Sequence, residues 1–311
     1  MQAGIAALFR VAGRDPRTAR ASDLGFALGP RINAAGRLTD MTQGIECLLS
    51  DDADQALELA QRLDTLNRER RQIEADMQAD AEIELDSADL DALPLGQQCT
   101  ITMFREGWHP GVVGLIASRI KERHHRPTIA FARADASWLR GSGRSIEGVH
   151  LRDTLDRITK TSPGLIARFG GHAMAAGLTI AHDALESFTL AFEQAARETT
   201  DPALYARTLA VDGALEADEI THSLVEAIDR IVWGQGFAEP LFANEFEVLE
   251  QRIVKGKHLK LTLALDGRRW PAIWFRHSEA VPDRARLAYR PAIDEFRGQR
   301  RVSLMIEQLC A

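Results

Sequence analysis

The stretch from Cys99 to Ala132 reads CTITMFREGWHPGVVGLIASRIKERHHRPTIAFA. Its residues 99–104 have the pattern of a β-strand, residues 112–124 that of an amphipathic helix, and residues 128–132 that of a second strand. Strands that alternate with helices predict an α/β domain with a mixed or parallel sheet. The other elements expected before residue 200 are strands at 138–145 and 178–180 and helices at 150–161 and 184–197.

A long helix is predicted upstream of this domain. Ser50, Asp51 and Asp52 can cap its start and place acidic charge in its first turn. No Gly or Pro interrupts residues 51–93. A helix of about 34 residues is roughly 50 Å long, more than one compact domain needs. Residues 51–93 are therefore interpreted as a connecting helix, and residues 1–50 as part of another domain. The apolar residues at helical spacing are Leu59, Leu63, Leu66, Ile73 and Met77.

The pattern changes after Asp201 and Pro202. A short helical segment is expected near residues 217–231, followed by closely spaced runs of strand-forming residues. Five such runs in this span predict a small antiparallel barrel, so the fold class is α/β plus all-β. The runs are 246–254, 259–265, 270–275, 287–293 and 302–309.

Charge is divided unevenly along the chain. The net charge is −7, yet residues 251–311 hold 13 Lys and Arg against 6 Asp and Glu, a net +7. Such asymmetry indicates a polyanionic partner, or else a solvated β-domain with basic strand faces. No apolar run approaches the roughly 18 residues that cross a bilayer, so no membrane association is expected. Three widely spaced cysteines argue against a disulfide framework and favour a cytoplasmic location.

Four glycine-containing stretches are candidates for phosphate binding: GPRINAAGR, WHPGVVG, GSGRS and FGGHAMAAG. Arginine donates bidentate hydrogen bonds to phosphate, and glycine allows the backbone to approach a ligand. The first and third are interpreted as loops, and the alanines of the fourth as a closely packed helix. Each stretch alone is also compatible with a surface turn, and the histidines with structural roles. The candidate residues are Arg31, Asn33, Arg37, His109, Ser142, Gly143, Arg144, Ser145, Gly170, Gly171 and His172.

Basic and aromatic residues are interleaved in the predicted barrel. This composition suits a single strand of nucleic acid, because cations follow the phosphates and rings stack on the bases. The alternative is that the rings form the barrel core. Trp270 and Trp274 share one side of a strand and Phe275 the other, so the tryptophans are exposed if Phe275 is buried. The candidate residues are Lys255, Lys257, Lys260, Trp270 and Trp274.

Several of these motifs, in this order, resemble the RecJ family of the DHH phosphoesterase superfamily. The resemblance rests on GFALGPRINAAGRL, NRERRQIE, GWHPGVVGLIASRIKE, GSGRS and RFGGHAMAAGL, and it covers nearly the whole chain. It implies the end of a DHH domain at 1–50, a connecting helix at 51–93, a DHH-associated domain at 94–200 and an OB-fold at 205–311. The family's Asp-His-His signature is absent from this sequence, so the chain resembles the C-terminal portion of such an enzyme.

The resemblance also implies an activity. RecJ-like enzymes are 5′-to-3′ exonucleases on single-stranded DNA in repair and recombination, with two Mn²⁺ or Mg²⁺ ions held by the N-terminal domain. This chain would hold no metal. His172 and Arg144 would clamp the phosphate near the metals, and the OB-fold would hold the strand. Partners implied by the family are single-stranded DNA, single-stranded-DNA-binding protein and a helicase, with the enzyme acting as a monomer.

Two other functions remain open at this stage. The chain by itself can be a single-strand-binding module without catalysis, because the metal ligands are not found in it. It can also belong to a DHH-family phosphoesterase for short oligonucleotides or cyclic dinucleotides. The basic C-terminal region argues against the latter, because a small substrate does not need a long binding surface.

Overall fold

The computed structural model describes residues 1–86, 97–234, 236–296 and 299–310, and these form two units, Met1–Arg207 and Thr208–Ala311. The end of the predicted connecting helix, at 87–93, and the start of the predicted domain at 94–96 lie outside the described residues, as does Gln235 of the WGQGF motif. The finer division of the first unit at residues 50 and 93 stays a prediction.

The first unit begins with four helices, and all of them except the short second one pack on the first half of a fifth. Their apolar residues, among them Leu8, Phe9 and Ala35, form one core with Leu59 and Leu63 of the fifth helix. A π-helical segment at Leu24–Leu28 precedes the third helix. The helices are α1 Ala3–Val11, α2 Ala21–Asp23, α3 Gly29–Leu38, α4 Thr42–Leu49 and α5 Ala53–Asp86.

The interpretation of GPRINAAGR as a loop is wrong, because this stretch forms α3. Pro30 lies in the first turn of the helix, where its missing N–H costs no hydrogen bond. Gly36 allows close packing, since a Cβ there would lie 2.7 Å from Cε of Met41. Proline and glycine therefore mark a helix start and a helix contact here.

Helix α5 confirms the predicted long helix over its described residues. Oδ1 of Asp52 accepts hydrogen bonds from the N–H groups of Asp54 (2.8 Å) and Gln55 (3.1 Å), which caps the helix. The second half of α5 buries Met77 and Ala81 in a core different from that of the first half. The 34-residue helix thus joins the helical part of the unit to its α/β part.

The α/β part contains a five-stranded sheet with the order β1-β2-β3-β5-β4, parallel between β1 and β2 and otherwise antiparallel. This confirms the predicted α/β class with a mixed sheet. The elements are β1 Ile101–Phe104, α6 Val113–His124, β2 Thr128–Arg133, β3 Trp138–Arg144, α7 Leu151–Thr161, β4 Arg168–Gly171, β5 Ala175–Ala181 and α8 Leu185–Thr199.

The small residues of FGGHAMAAG form a β-hairpin, so their interpretation as the start of a packed helix is wrong. Ala176 pairs with Gly143 on one side and with Gly171 on the other. Gly171 has φ 149°, and a Cβ there would lie 2.3 Å from the carbonyl oxygen of Ala175. Small side chains are required because β4 and β5 approach closely at the hairpin.

The two faces of the sheet are covered differently. Phe131, Leu139 and Leu178 face α7 and α8 and form a core with Phe188 and Phe192. Helix α6 packs on β2 and β3 on the opposite face. On that side the backbones of β4 and β5 remain exposed at two glycines, and an open groove results. These glycines are Gly170 and Gly177.

The second unit confirms the predicted barrel. Its five strands close in the order β10-β8-β7-β6-β9, antiparallel except for β8 and β10. The hydroxyl of buried Tyr289 donates to Oδ1 of Asn244 (2.9 Å) inside the barrel wall. No helix of the described residues is both long and apolar enough to cross a membrane. The elements are α9 His222–Asp229, β6 Phe242–Val254, β7 His258–Leu265, β8 Arg268–Phe275, β9 Arg284–Phe296 and β10 Gln299–Leu309.

Candidate phosphate site and nucleic-acid surface

Three of the predicted glycine-containing stretches meet in the first unit at Arg37, Ser142 and Arg144, which we call the arginine corner. Nη1 of Arg37 donates to the carbonyl oxygen of Gly111, in the turn before α6 (3.1 Å). A Cβ at Gly114 would lie 2.8 Å from Oγ of Ser142 and 3.0 Å from Nη2 of Arg144. Glycine at this position therefore lets α6 approach the two side chains closely.

The arginine corner carries positive charge without a neutralising carboxylate. Nη1 of Arg144 donates to Oγ of Ser142 (3.2 Å) and to the carbonyl oxygen of Gly143 (2.7 Å). Neither Arg37 nor Arg144 makes an ion pair within the described residues. Burial lowers the pKa of the Arg144 guanidinium, and the charge of Arg37 lowers it further. Two partly desolvated guanidiniums of this kind favour an anion between them.

Two further arginines near the corner are neutralised. Glu74 of α5 accepts hydrogen bonds from both Arg70 and Arg119. Burial lowers the pKa of Arg70, the charge of Glu74 opposes this shift, and nearby cations that include Arg37 act in the same direction as burial. Arg119 also pairs with Glu122 (3.4 Å), so two carboxylates balance Arg70 and Arg119, whereas Arg37 and Arg144 have no carboxylate partner among the described residues.

A groove of about 450 Å³ extends from Ser142 of the corner across the open sheet face. Ser142 of β3 pairs with Gly177 of β5, which pairs with Gly170 of β4. A Cβ at Gly170 would meet no atom within 4 Å, and one at Gly177 only a carbonyl oxygen at 3.9 Å. These glycines form an open floor beside the arginines. Arg140 and Arg168 line the groove as well.

The predicted surrounding of phosphate by loop N–H groups at GSGRS is wrong. Residues 141–144 lie in β3, whose backbone pairs with β2 on one side and β5 on the other. Gly143 faces the opposite side, where a Cβ would lie 2.7 Å from Leu151. Ser145 is buried, and its Oγ donates to the carbonyl oxygen of Val149 (2.7 Å). Gly143 and Ser145 are therefore structural, as is Gly171 at the hairpin.

Arg31 also differs from its prediction, because its guanidinium is held by protein groups. Its Nε donates to Oδ1 of Asp64 (2.9 Å) and its Nη1 to the carbonyl oxygen of Ala27 (2.6 Å). The side chains of Arg31 and Asp64 are only 11% and 9% exposed. The pair joins α3 to α5, and a direct phosphate contact by Arg31 is not supported.

Replacing Asp64 with alanine is expected to lower the free energy of unfolding by about 3 kcal/mol, because it leaves buried Arg31 without its carboxylate. Urea denaturation measures the change. Arg68 is the matched control, since it pairs with the same carboxylate but is 76% exposed. Arg68→Ala is expected to cost less than about 1 kcal/mol. Equal losses in the two variants would contradict a structural role of the Arg31–Asp64 pair.

His172 lies exposed at the tip of the β4–β5 hairpin. Its Nδ1 accepts from the N–H of Met174 (3.3 Å), which leaves Nε2 available to a ligand. The N–H of Ser145 donates to the carbonyl oxygen of Met174 (2.9 Å), so the hairpin tip is joined to the residue that follows Arg144. The predicted role of His172 stays a prediction.

Two further predicted residues lie near Arg37. Asn33 is exposed one helical turn before Arg37, on the same face of α3. Nδ1 of His109 accepts from the N–H of Gly111 (3.1 Å) and so stabilises the turn before α6. Phosphate contacts by Asn33 and His109 stay predictions.

The two tryptophans of β8 face the inside of the barrel, in contrast to the exposed orientation predicted for them. Trp270 and Trp274 pair with Leu263 and Leu259, whose side chains fill the barrel. Trp270 is 6% exposed, so its predicted stacking on a base is wrong. Trp274 is half-buried and stacks on His277, with ring centroids 3.6 Å apart.

Phe275, which was not selected from the sequence, lies on the outer side of β8 and is 54% exposed. Its ring contacts that of His258 edge-on at 5.4 Å. Lys255 and Lys257 are exposed in the β6–β7 turn, and Lys260 is half-buried on the outer side of β7. Oligonucleotides bind OB-folds on this pair of strands and this turn.

Changing Lys255, Lys257 and Lys260 together to alanine is expected to flatten the salt dependence of single-strand binding. Each lost phosphate contact lowers the slope of log K against log salt by roughly 0.7. Titrations at several salt concentrations measure the slope. Arg284→Ala serves as the control, because it removes a positive charge from β9 and leaves the β6–β7 turn unchanged. An unchanged slope in the triple variant would remove this turn from the DNA path.

The described residues do not offer a metal site. Within residues 1–86, 97–234, 236–296 and 299–310, no group of three or more His, Cys, Asp or Glu side chains is arranged to hold a metal ion.

Comparison with known proteins agrees with the two-part architecture. The DHHA1 domain model matches residues 96–198, and the RecJ OB domain model matches residues 211–308. The single-stranded-DNA-specific exonuclease RecJ of Dickeya dadantii is 46% identical over 98% of this chain, and that of Escherichia coli 44% over the same share. Each alignment covers 54% of the relative, so the chain spans about half the length of these proteins.

Solved structures give the same result. RecJ from Thermus thermophilus in complex with Mn²⁺ matches with a TM-score of 0.79 at 27% identity, over 99% of this chain and 44% of that one. The complex of that protein with Mg²⁺ matches with a TM-score of 0.78. Together with the two domain matches and the curated relatives, these similarities show that the chain belongs to the RecJ family and carries a DHHA1 domain followed by a RecJ OB domain.

Proposed function

We propose that this chain supplies the phosphate clamp and the DNA-binding surface of a RecJ-type 5′-to-3′ exonuclease acting on single-stranded DNA. The observation that carries the proposal is the arginine corner, where Arg144 is partly buried with no carboxylate partner among the described residues and donates to Ser142, which lines the glycine-floored groove. A phosphodiester supplies the missing negative charge, and the open glycine floor of the groove lets a nucleic-acid backbone approach the sheet.

Each residue of the site has its own role in the proposed enzyme. Arg144 and Arg37 bind the phosphate, Ser142 holds the Arg144 guanidinium in place, and His172 positions the phosphate from the hairpin tip. Two Mn²⁺ or Mg²⁺ ions supply the hydrolytic chemistry, held by groups outside the described residues. The barrel binds the same strand through Lys255, Lys257 and Lys260.

The cellular setting is proposed from the family. The enzyme acts as a monomer in the cytoplasm, in DNA repair and recombination. Single-stranded-DNA-binding protein and a helicase are its proposed partners, because they provide and expose the single strand.

For the isolated chain, a second function is favoured by the composition of the site. The described residues lack a metal-ligand cluster, so the chain alone is proposed to bind single strands without cleaving them. A phosphoesterase for short oligonucleotides is less favoured, because the outer face of the barrel carries basic residues and Phe275 suited to a longer strand.

The purified chain, incubated with Mn²⁺ and a 5′-labelled single strand, tests these proposals alongside a binding titration of the same strand. Binding without degradation, and stronger for a single strand than for a duplex, is the expected result. Absence of single-strand binding would contradict the proposed function. Degradation that survives repurification would contradict the placement of the metal ligands outside the described residues.

A further inference from the structure

The groove face of β3 continues past the arginine corner to an aromatic residue. Trp138, Arg140, Ser142 and Arg144 alternate with buried residues, so their side chains lie on one side of the sheet. At about 3.3 Å per residue, Trp138 lies roughly 13 Å along the strand from Ser142. Only the last two of these four residues were selected from the sequence.

A second cavity of about 270 Å³ lies at the Trp138 end of this face. It shares Arg140, Arg168 and Thr179 with the larger groove, so the two cavities adjoin on the same face of the sheet, and we call them together the track. Besides these residues, its lining includes Trp138, Ala134, Asp135 and Ala167.

The side chains at this end suit a nucleotide. Trp138 is 40% exposed, and Ala134 and Ala167 in the same cavity are too small to cover an indole. Arg140 is exposed and makes no ion pair with another described residue. Nε of Arg168 donates to Oγ1 of Thr179 (3.2 Å), which holds this guanidinium beside the track.

Asp135 gives the Trp138 end of this cavity a negative charge, whereas Arg140 and Arg168 make the other end positive. Its Oδ1 accepts from the N–H groups of Ser137 (2.8 Å) and Trp138 (3.0 Å) in the β2–β3 turn. Its negative charge disfavours a phosphate beside Trp138, whereas Arg140 and Arg168 favour one on the side toward Ser142. A base at the indole and a phosphate at the arginines satisfy both conditions.

We propose that Trp138, Arg140 and Arg168 form a nucleotide subsite, in which an unpaired base stacks on Trp138 and its phosphate lies between the two arginines. The inference rests on the proposed function, because it places a second nucleotide of the strand whose phosphate occupies the arginine corner. Stacking on one ring requires a base free of its duplex neighbours, so the subsite contributes to selection of single strands.

Abasic scanning tests the subsite with the full chain. A set of short single strands, each with one abasic position moved stepwise from the 5′ end, is titrated against the wild type, Trp138→Ala and Trp138→Phe. One abasic position is expected to weaken wild-type binding by about 5- to 150-fold, and to have no further effect in Trp138→Ala. Trp138→Phe is expected to retain part of the position dependence, because phenylalanine keeps a ring face.

The outcomes separate the subsite from the proposed function. If Trp138→Ala weakens binding equally at every abasic position, or changes only the thermal stability, the ring is structural and the subsite is wrong. If Arg144→Ala nevertheless weakens binding, the subsite is wrong but the phosphate clamp at Arg144 is still supported. If Arg144→Ala also binds as the wild type does, the proposed function fails with it.

Discussion

Replacing Arg144 with alanine is expected to weaken single-strand binding by roughly 2–5 kcal/mol, which is about 30-fold or more in Kd. The guanidinium is partly buried beside the charge of Arg37 and has no carboxylate partner among the described residues. A bound phosphate is therefore the group that compensates its charge. Fluorescence anisotropy with a labelled single strand measures the change in Kd.

Two further variants test whether the loss of binding is specific to the arginine corner. Arg144→Lys keeps the charge but loses the planar fork, so an intermediate Kd is expected. Arg157→Ala removes an arginine of α7 that pairs with Glu198, and it is expected to bind as the wild type does. If Arg144→Ala and Arg157→Ala weaken binding equally, the effect is one of general charge and the clamp is contradicted.

Replacing Gly177 with valine is expected to reduce single-strand binding at least about tenfold, or 1.4 kcal/mol, without loss of stability. A Cβ at this position would project into the groove and meet only a carbonyl oxygen, at 3.9 Å. Valine also favours the strand conformation more than glycine does. Binding titrations and thermal unfolding of the same preparation measure both quantities.

Gly141, two residues from Gly143 on β3, is the matched control for Gly177. A Cβ at Gly141 would lie 2.5 Å from the ring of Phe131 and 2.7 Å from Leu178, on the buried side of the sheet. Gly141→Ala is therefore expected to destabilise the fold by about 1–3 kcal/mol. Wild-type affinity in folded Gly177→Val would contradict the assignment of the groove as the DNA path.

The order of strands and helices could be predicted from the sequence because it follows from local periodicity. The strand-helix-strand pattern of residues 99–132 and the five strand runs after residue 240 both correspond to observed elements. The errors arose at glycine. Gly29 and Gly36 predict a loop, yet both lie in α3, where packing against Met41 explains the second.

The candidate site was predicted in part. Arg37, Ser142 and Arg144 were selected as phosphate ligands, and they meet because Gly111 and Gly114 bring α3 and β3 to the start of α6. No local pattern indicates that Arg31 pairs with Asp64, since this ion pair depends on how α3 packs on α5. Tertiary packing thus decided which arginines remain unpaired.

Two sequence patterns bear on the orientation of the site residues. Residues of WLRGSGR alternate with period two, which places Arg140 on the same side as Ser142 and Arg144. In the barrel, the shared side of Trp270 and Trp274 was recognised, but which side faces inward depends on pairing with Leu259 and Leu263. Closure of the barrel, a non-local property, determines that orientation.

A crystal structure of this chain with a 5′-phosphorylated single strand tests the central claim most directly. We expect a phosphate of the strand within hydrogen-bond distance of the Arg144 guanidinium and the Ser142 hydroxyl, with the backbone passing over Gly177. A strand that is ordered on the barrel while Arg144 contacts only protein groups would contradict this claim.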